Sequence, residues 1–149
     1  QLTRPDNVAD HTAQAENDVS QQSLPATLNQ TKVYLLDYPR NQMKEKPLAA
    51  LDILRTLNAG TRFFGYIGHG DPNQMSDENV FNTATIYRLE NRDKYFIFYP
   101  ASCGVGTFDL PTGTSIAELL LLKENSGAVA TLAAIRARLA GARISPGDL

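Results

Sequence analysis

The sequence predicts an α/β domain on a mostly parallel sheet with helices on both faces. Two observations carry that expectation. Short apolar runs alternate with helix-like segments along the whole chain. The runs are continuous rather than alternating apolar and polar, as strands read when both faces of a parallel sheet are covered. The crossovers are then expected to be right-handed.

The elements follow in order. Residues 1–9 are polar and are expected to be loose. Residues 10–22 (DHTAQAENDVSQQ) suit a helix capped by Asp10 or Thr12. Residues 32–37 (KVYLLD) are a β-rich run ended by Tyr38-Pro39. Pro47 suits the first turn of the next helix, and Gly60 its stop. Residues 62–67 (RFFGYI) form the next strand, and 68–73 a loop. A short helix is expected at 83–90 with Thr83 as cap. Residues 94–101 (KYFIFYPA) are the clearest strand, followed by a glycine-rich loop to Gly113. Thr114 or Ser115 opens an apolar helix stopped near Gly127, and 128–133 (AVATLA) is a last buried strand. The tail at 141–149 reads as loose.

At 149 residues the whole chain, 1–149, is expected to be one domain. The helix near residue 10 has no strand before it, and the chain begins at Gln1. The expectation is therefore a fragment lacking an N-terminal strand and stable only with a complementing segment. Net charge is −2 with no basic run, which argues against nucleic acid as a partner. No stretch reaches the roughly 18–20 apolar residues of a membrane span. A single cysteine excludes an internal disulfide and a cysteine-rich zinc site.

That cysteine, Cys103, follows the strand at 94–101. His69 follows the strand at 62–67. In an open parallel sheet, chemistry gathers outside the carboxyl ends of the strands. A lone cysteine is commonly a small buried hydrophobe, and a histidine between glycines is commonly an exposed turn residue. Here each sits in a glycine-rich loop past a strand end, where a substrate backbone can approach. A thiolate nucleophile and its base require that juxtaposition. The backbone N–H groups of Gly70 and Cys103 are candidate oxyanion donors. Asp37, at the end of an expected strand, and Asp10, an expected cap, are candidates for a third member that orients His69; each also has an ordinary local role. His11 reads as a surface residue.

Other chemistries fit poorly. A cysteine phosphatase would want an Arg where Asp109 stands. No phosphate-binding Gly-x-x-x-x-Gly-Lys loop and no Gly-x-Ser-x-Gly elbow is present. With His11 and His69 the only histidines, a dense zinc site is not expected.

The run Gly65-Tyr66-Ile67-Gly68-His69-Gly70, followed by Ala101-Ser102-Cys103 with Gly106 and Phe108, resembles the gingipain-type cysteine peptidases. These are relatives of the caspases and include the sortase of the type IX secretion system. Ser115-Ile116-Ala117-Glu118, Gly127-Ala128-Val129-Ala130, Gln14-Ala15-Glu16 and Val33-Tyr34-Leu35 extend the likeness over about residues 10–136. The resemblance implies a caspase-like three-layer α/β fold, His69 as the catalytic histidine and Cys103 as the nucleophile. It points to an acidic third member nearer Asp10 than Asp37. It implies cleavage of a protein or peptide substrate, or transpeptidation by the same pair. A non-catalytic binding fragment is the alternative of a different class. The resemblance places the protein outside the cell or on a bacterial surface. No cofactor is expected to be required; calcium enters only through the resemblance.

Overall fold

A computed structural model describes residues 11–13, 15–20, 25 and 27–136. Asp10 and the two expected loose tails lie outside the described residues. Three strands form the main sheet: β1 (Phe63–Ile67), β4 (Phe96–Ala101) and β5 (Ala128–Thr131), in the order β1-β4-β5. Both pairings are parallel. Helices α1 (Pro47–Ala59), α2 (Thr83–Tyr87) and α3 (Ile116–Leu122) accompany them among the described residues. A small antiparallel pair, β2 (Gln74–Met75) with β3 (Phe81–Asn82), lies between β1 and α2.

The local chemistry explains most boundaries. Pro47 opens α1, and Gly60 closes it with a φ of 113°, a conformation glycine adopts without strain. Ser115 caps α3 in a reciprocal capping box. Its side chain accepts the Glu118 N–H, and the Glu118 carboxylate accepts the Ser115 N–H at 3.0 Å. The cap of α2 is Asn82 rather than Thr83, because the Asn82 carbonyl oxygen accepts the Thr85 N–H at 2.8 Å.

The strand expected at 32–37 does not form. Residues 32–34 are irregular, and Leu35–Asp37 is a single 3₁₀ turn. A β-rich run becomes a strand only where its backbone finds a ladder partner. Here side chains hold the segment instead. Lys32 Nζ reaches Glu16 at 2.7 Å, the Tyr34 hydroxyl donates to Glu16, and Lys46 Nζ donates to the Leu35 carbonyl. Glu16 lies on a π-helical stretch, Ala15–Ser20, where an α-helix was expected.

Phe64, Phe81, Phe96 and Phe98 pack ring on ring at the centre of the core, with Phe64 centroids 5.3–5.8 Å from the other three. Leu54 and Leu57 of α1, Ile86 of α2 and Ile116 and Leu120 of α3 join the same cluster. The helices therefore pack on one face of the sheet, and for α2 and α3, which lie on the two crossovers, this follows from the strand order. Successive right-handed crossovers that step in one direction put their helices on one side. The other face carries Phe63, Tyr99 and Val129, exposed by 58%, 60% and 66%.

Candidate active site

The register of β1 against β4 places the two singled-out residues. Phe63 pairs with Ile97, and the match runs without interruption to Ile67 with Ala101. The Gly68 N–H donates to the Ala101 carbonyl at 3.4 Å, carrying the pairing past the strand ends. His69 follows the last paired residue of β1, Ile67, by two positions, and Cys103 follows its partner in β4, Ala101, by two. Both residues thus lie in loops that leave the carboxyl ends of adjacent parallel strands. His69 is exposed and Cys103 partly buried.

Their loops pack on each other. A Cβ on Gly70 would meet Ser102 Oγ at 2.5 Å and Val105 Cγ1 at 3.0 Å, so glycine is required for the approach. Gly104, with a φ of 64°, lies against Asp71 and Pro72. The start of α3 ties into both loops. The Ile116 N–H donates to the Pro72 carbonyl at 2.8 Å, and the Ala117 N–H to the Val105 carbonyl at 3.1 Å. On its far side, the Cys103 loop is fastened to the segment after β5. The Gly106 N–H donates to the Ala134 carbonyl at 3.0 Å, and Asp109 pairs with Arg136.

The backbone of His69 is held as firmly. Its carbonyl accepts the Ser76 N–H at 2.8 Å and the Tyr66 hydroxyl at 2.8 Å. Burial, with the charges of Glu78 and Asp77 behind it, pushes the Tyr66 phenol well above its ordinary pKa, so it remains a donor. Tyr66 Oη also occupies the space that a Cβ on Gly68 would need, 2.5 Å away. Asp71 caps its own turn, accepting the Asn73 and Gln74 N–H groups at 2.7 and 3.0 Å. Between the loops, Ser102 Oγ is buried with no hydrogen-bond partner among the described residues.

His11, read from the sequence as a surface residue, is half-buried, and its ring meets His69 edge-on. The contact joins segments far apart in the chain, and no local pattern announces it. Asp37 is exposed in the 3₁₀ turn. The reason for placing Asp37 at the carboxyl edge was a strand at 32–37, and that strand is absent. Among the described residues no group of three or more His, Cys, Asp or Glu side chains is arranged to hold a metal ion. No described helix is long and apolar enough to cross a membrane. A hollow of about 580 Å³ lined by Gly60, Arg62, Lys94 and Val129 opens at the amino ends of the strands, away from His69 and Cys103.

The fold and its paired loops define a caspase-like α/β domain. The model of peptidase family C25 matches residues 3–145, and the chain belongs to that family of cysteine peptidases. Solved structures of gingipain R (RgpB), described as an Arg-specific cysteine proteinase, share the fold. One is 23% identical with a TM-score of 0.54, covering 60% of this chain and 21% of that one. A complex of Porphyromonas gingivalis RgpB pro- and mature domains is 24% identical with a TM-score of 0.53, covering 58% of this chain and 21% of that one. The chain thus spans about a fifth of the gingipain chains it matches. No curated protein matches it.

Proposed function

We propose that this chain carries the catalytic core of a cysteine endopeptidase, with Cys103 as nucleophile and His69 as general base and acid. The observation that supports it is that the loops carrying the two residues leave the carboxyl ends of adjacent, in-register parallel strands and pack on each other. His69 takes the thiol proton, and Cys103 Sγ attacks the scissile carbonyl carbon. The C–S bond forms, and the carbonyl becomes an oxyanion held by the N–H groups of Gly70 and Cys103. The C–N bond then breaks as His69 gives its proton to the leaving amine. Water, deprotonated by His69, opens the thioester, releasing the new carboxyl terminus and restoring the thiol. The same acyl-enzyme yields a transpeptidation product when an amine replaces water.

Family membership supports two further parts of this reading: a protein or peptide substrate, and a place outside the cell or on the bacterial surface. A complementing segment is a further expected partner, since RgpB has been solved as a complex of pro- and mature domains. The test is labelling by a thiol-reactive peptidyl probe, with turnover of labelled casein. Cys103→Ala is expected to lose both and keep its thermal transition nearly unchanged. Turnover close to that of the unsubstituted protein in this variant would end the assignment.

A further inference from the structure

We propose that Glu78 is a positioning residue for the loop that carries His69 and Gly70, acting through the backbone of Ser76. The proposal rests on the Cys103–His69 reading above. The Ser76 N–H donates to the His69 carbonyl at 2.8 Å, and the Asp71 N–H to the Gln74 carbonyl at 2.9 Å. These two bonds flank the bridge between Gly70 and Met75, so Ser76 is the last rung that fastens the His69 loop to the end of β2.

Ser76 aims that N–H from an unfavourable conformation. It is buried, and its φ of 65° lies in the left-handed region that a side chain disfavours. A residue stays there only where its surroundings over-determine it. Glu78 supplies that constraint. Its carboxylate accepts the Ser76 hydroxyl, and its N–H donates to Ser76 Oγ at 3.0 Å. The other carboxylate oxygen accepts Arg40 Nη2 at 2.6 Å. The Glu78 carbonyl accepts the Lys46 N–H at 3.0 Å, which ties the turn to the start of α1. Burial disfavours the Glu78 charge, but the Ser76 and Arg40 hydrogen bonds outweigh it and hold the carboxyl below its ordinary pKa. At neutral pH the clamp is thus an ionised carboxylate that accepts on both oxygens. It matters to chemistry because rates fall steeply when a base or an oxyanion donor is displaced.

The test uses the full chain and its single cysteine. The readout is the rate of Cys103 alkylation by iodoacetamide across a pH series, with the urea midpoint measured beside it. Glu78→Gln keeps the shape and loses the charge. It should slow alkylation at neutral pH by about three- to tenfold and move the midpoint of the pH profile up, because a displaced imidazolium supports the thiolate less. Glycine takes the left-handed conformation without a clamp, so in the Ser76→Gly background Glu78→Gln should change the rate by less than about twofold. In the His69→Ala background it should add nothing, since no imidazole is there to displace. Where Glu78→Gln does not fold, Arg40→Gln releases the carboxylate from its exposed side and should act in the same direction. An unchanged rate in the folded Glu78→Gln chain, or in the Arg40→Gln chain used in its place, overturns the proposal. So does slowing of equal size in the Ser76→Gly background, or further slowing in the His69→Ala background. His69→Ala alone separates the two readings. Unchanged alkylation there overturns the pair and Glu78 with it. Slow alkylation there, with a normal rate for Glu78→Gln, overturns Glu78 alone.

Discussion

Gly70 and Ser102 meet where the two loops touch, and they strain against each other in opposite ways. Gly70 has no side chain because Ser102 Oγ and Val105 Cγ1 fill the space. Ser102 presents a buried hydroxyl without a partner among the described residues. An unsatisfied buried hydroxyl costs stability that an apolar group of the same shape does not. Ser102→Ala is therefore expected to raise unfolding free energy by about 1 kcal/mol. Gly70→Ala should lower it by about 1–3 kcal/mol through overpacking. The two are in contact, so Gly70→Ala should cost less in the Ser102→Ala background. Urea unfolding of the four proteins of that cycle measures the coupling; strictly additive values would show that the hydroxyl is not what excludes a Cβ at position 70.

At the scale of elements, the entry to β5 is the most tightly specified point. Asn91 is fully buried; its amide donates to the Gly127 carbonyl at 2.8 Å and accepts the Gly127 N–H at 2.8 Å. Gly127 has a φ of 93°, and a Cβ there would lie 2.2 Å from the Leu120 carbonyl oxygen. Neither strain nor clash can be relieved by turning a side chain. Gly127→Ala is expected to cost about 3 kcal/mol or more, visible as a fall in the thermal midpoint. A midpoint within a degree or two of the unsubstituted protein would contradict the tight approach of α3 to β5. The sequence read that glycine as the stop of α3, but the helix ends at Leu122 with Lys123 as its cap, so the glycine serves the entry to β5; α1, α3 with its serine cap, β1, β4 and β5 were legible. Strong periodicity or a long apolar run marks each of them. The β2–β3 pair was not legible, because two-residue strands carry no alternation to detect. Residues 32–37 failed in the other direction, since propensity was present and a ladder partner was not. Of the candidate site, the two loops were legible because glycine follows each strand, whereas the His11 contact depends on tertiary packing alone.

For the whole molecule, apolar side chains left exposed on and beside the sheet dictate solution behaviour. Phe63, Tyr99, Val129 and Leu132 are exposed by 58%, 60%, 66% and 61%. Large apolar side chains exposed in this number favour association in an isolated chain. Sedimentation velocity should show an average mass that rises with concentration, and Val129→Lys should lower it. A strictly monomeric chain across the concentration range would mean that the face is covered in solution.

The register of β1 on β4 has one more consequence, for how the site tolerates change. The pairing sets where the loops of His69 and Cys103 leave the sheet in whole residues, not by degrees. An inserted or deleted residue in either strand displaces one loop by roughly 3.3 Å along the sheet and turns its side chain to the opposite face. Small adjustments of core side chains leave that count untouched. Length changes inside β1 or β4 should therefore act as an on–off control, while insertions after Gly113, beyond the fastened part of the Cys103 loop, should be absorbed.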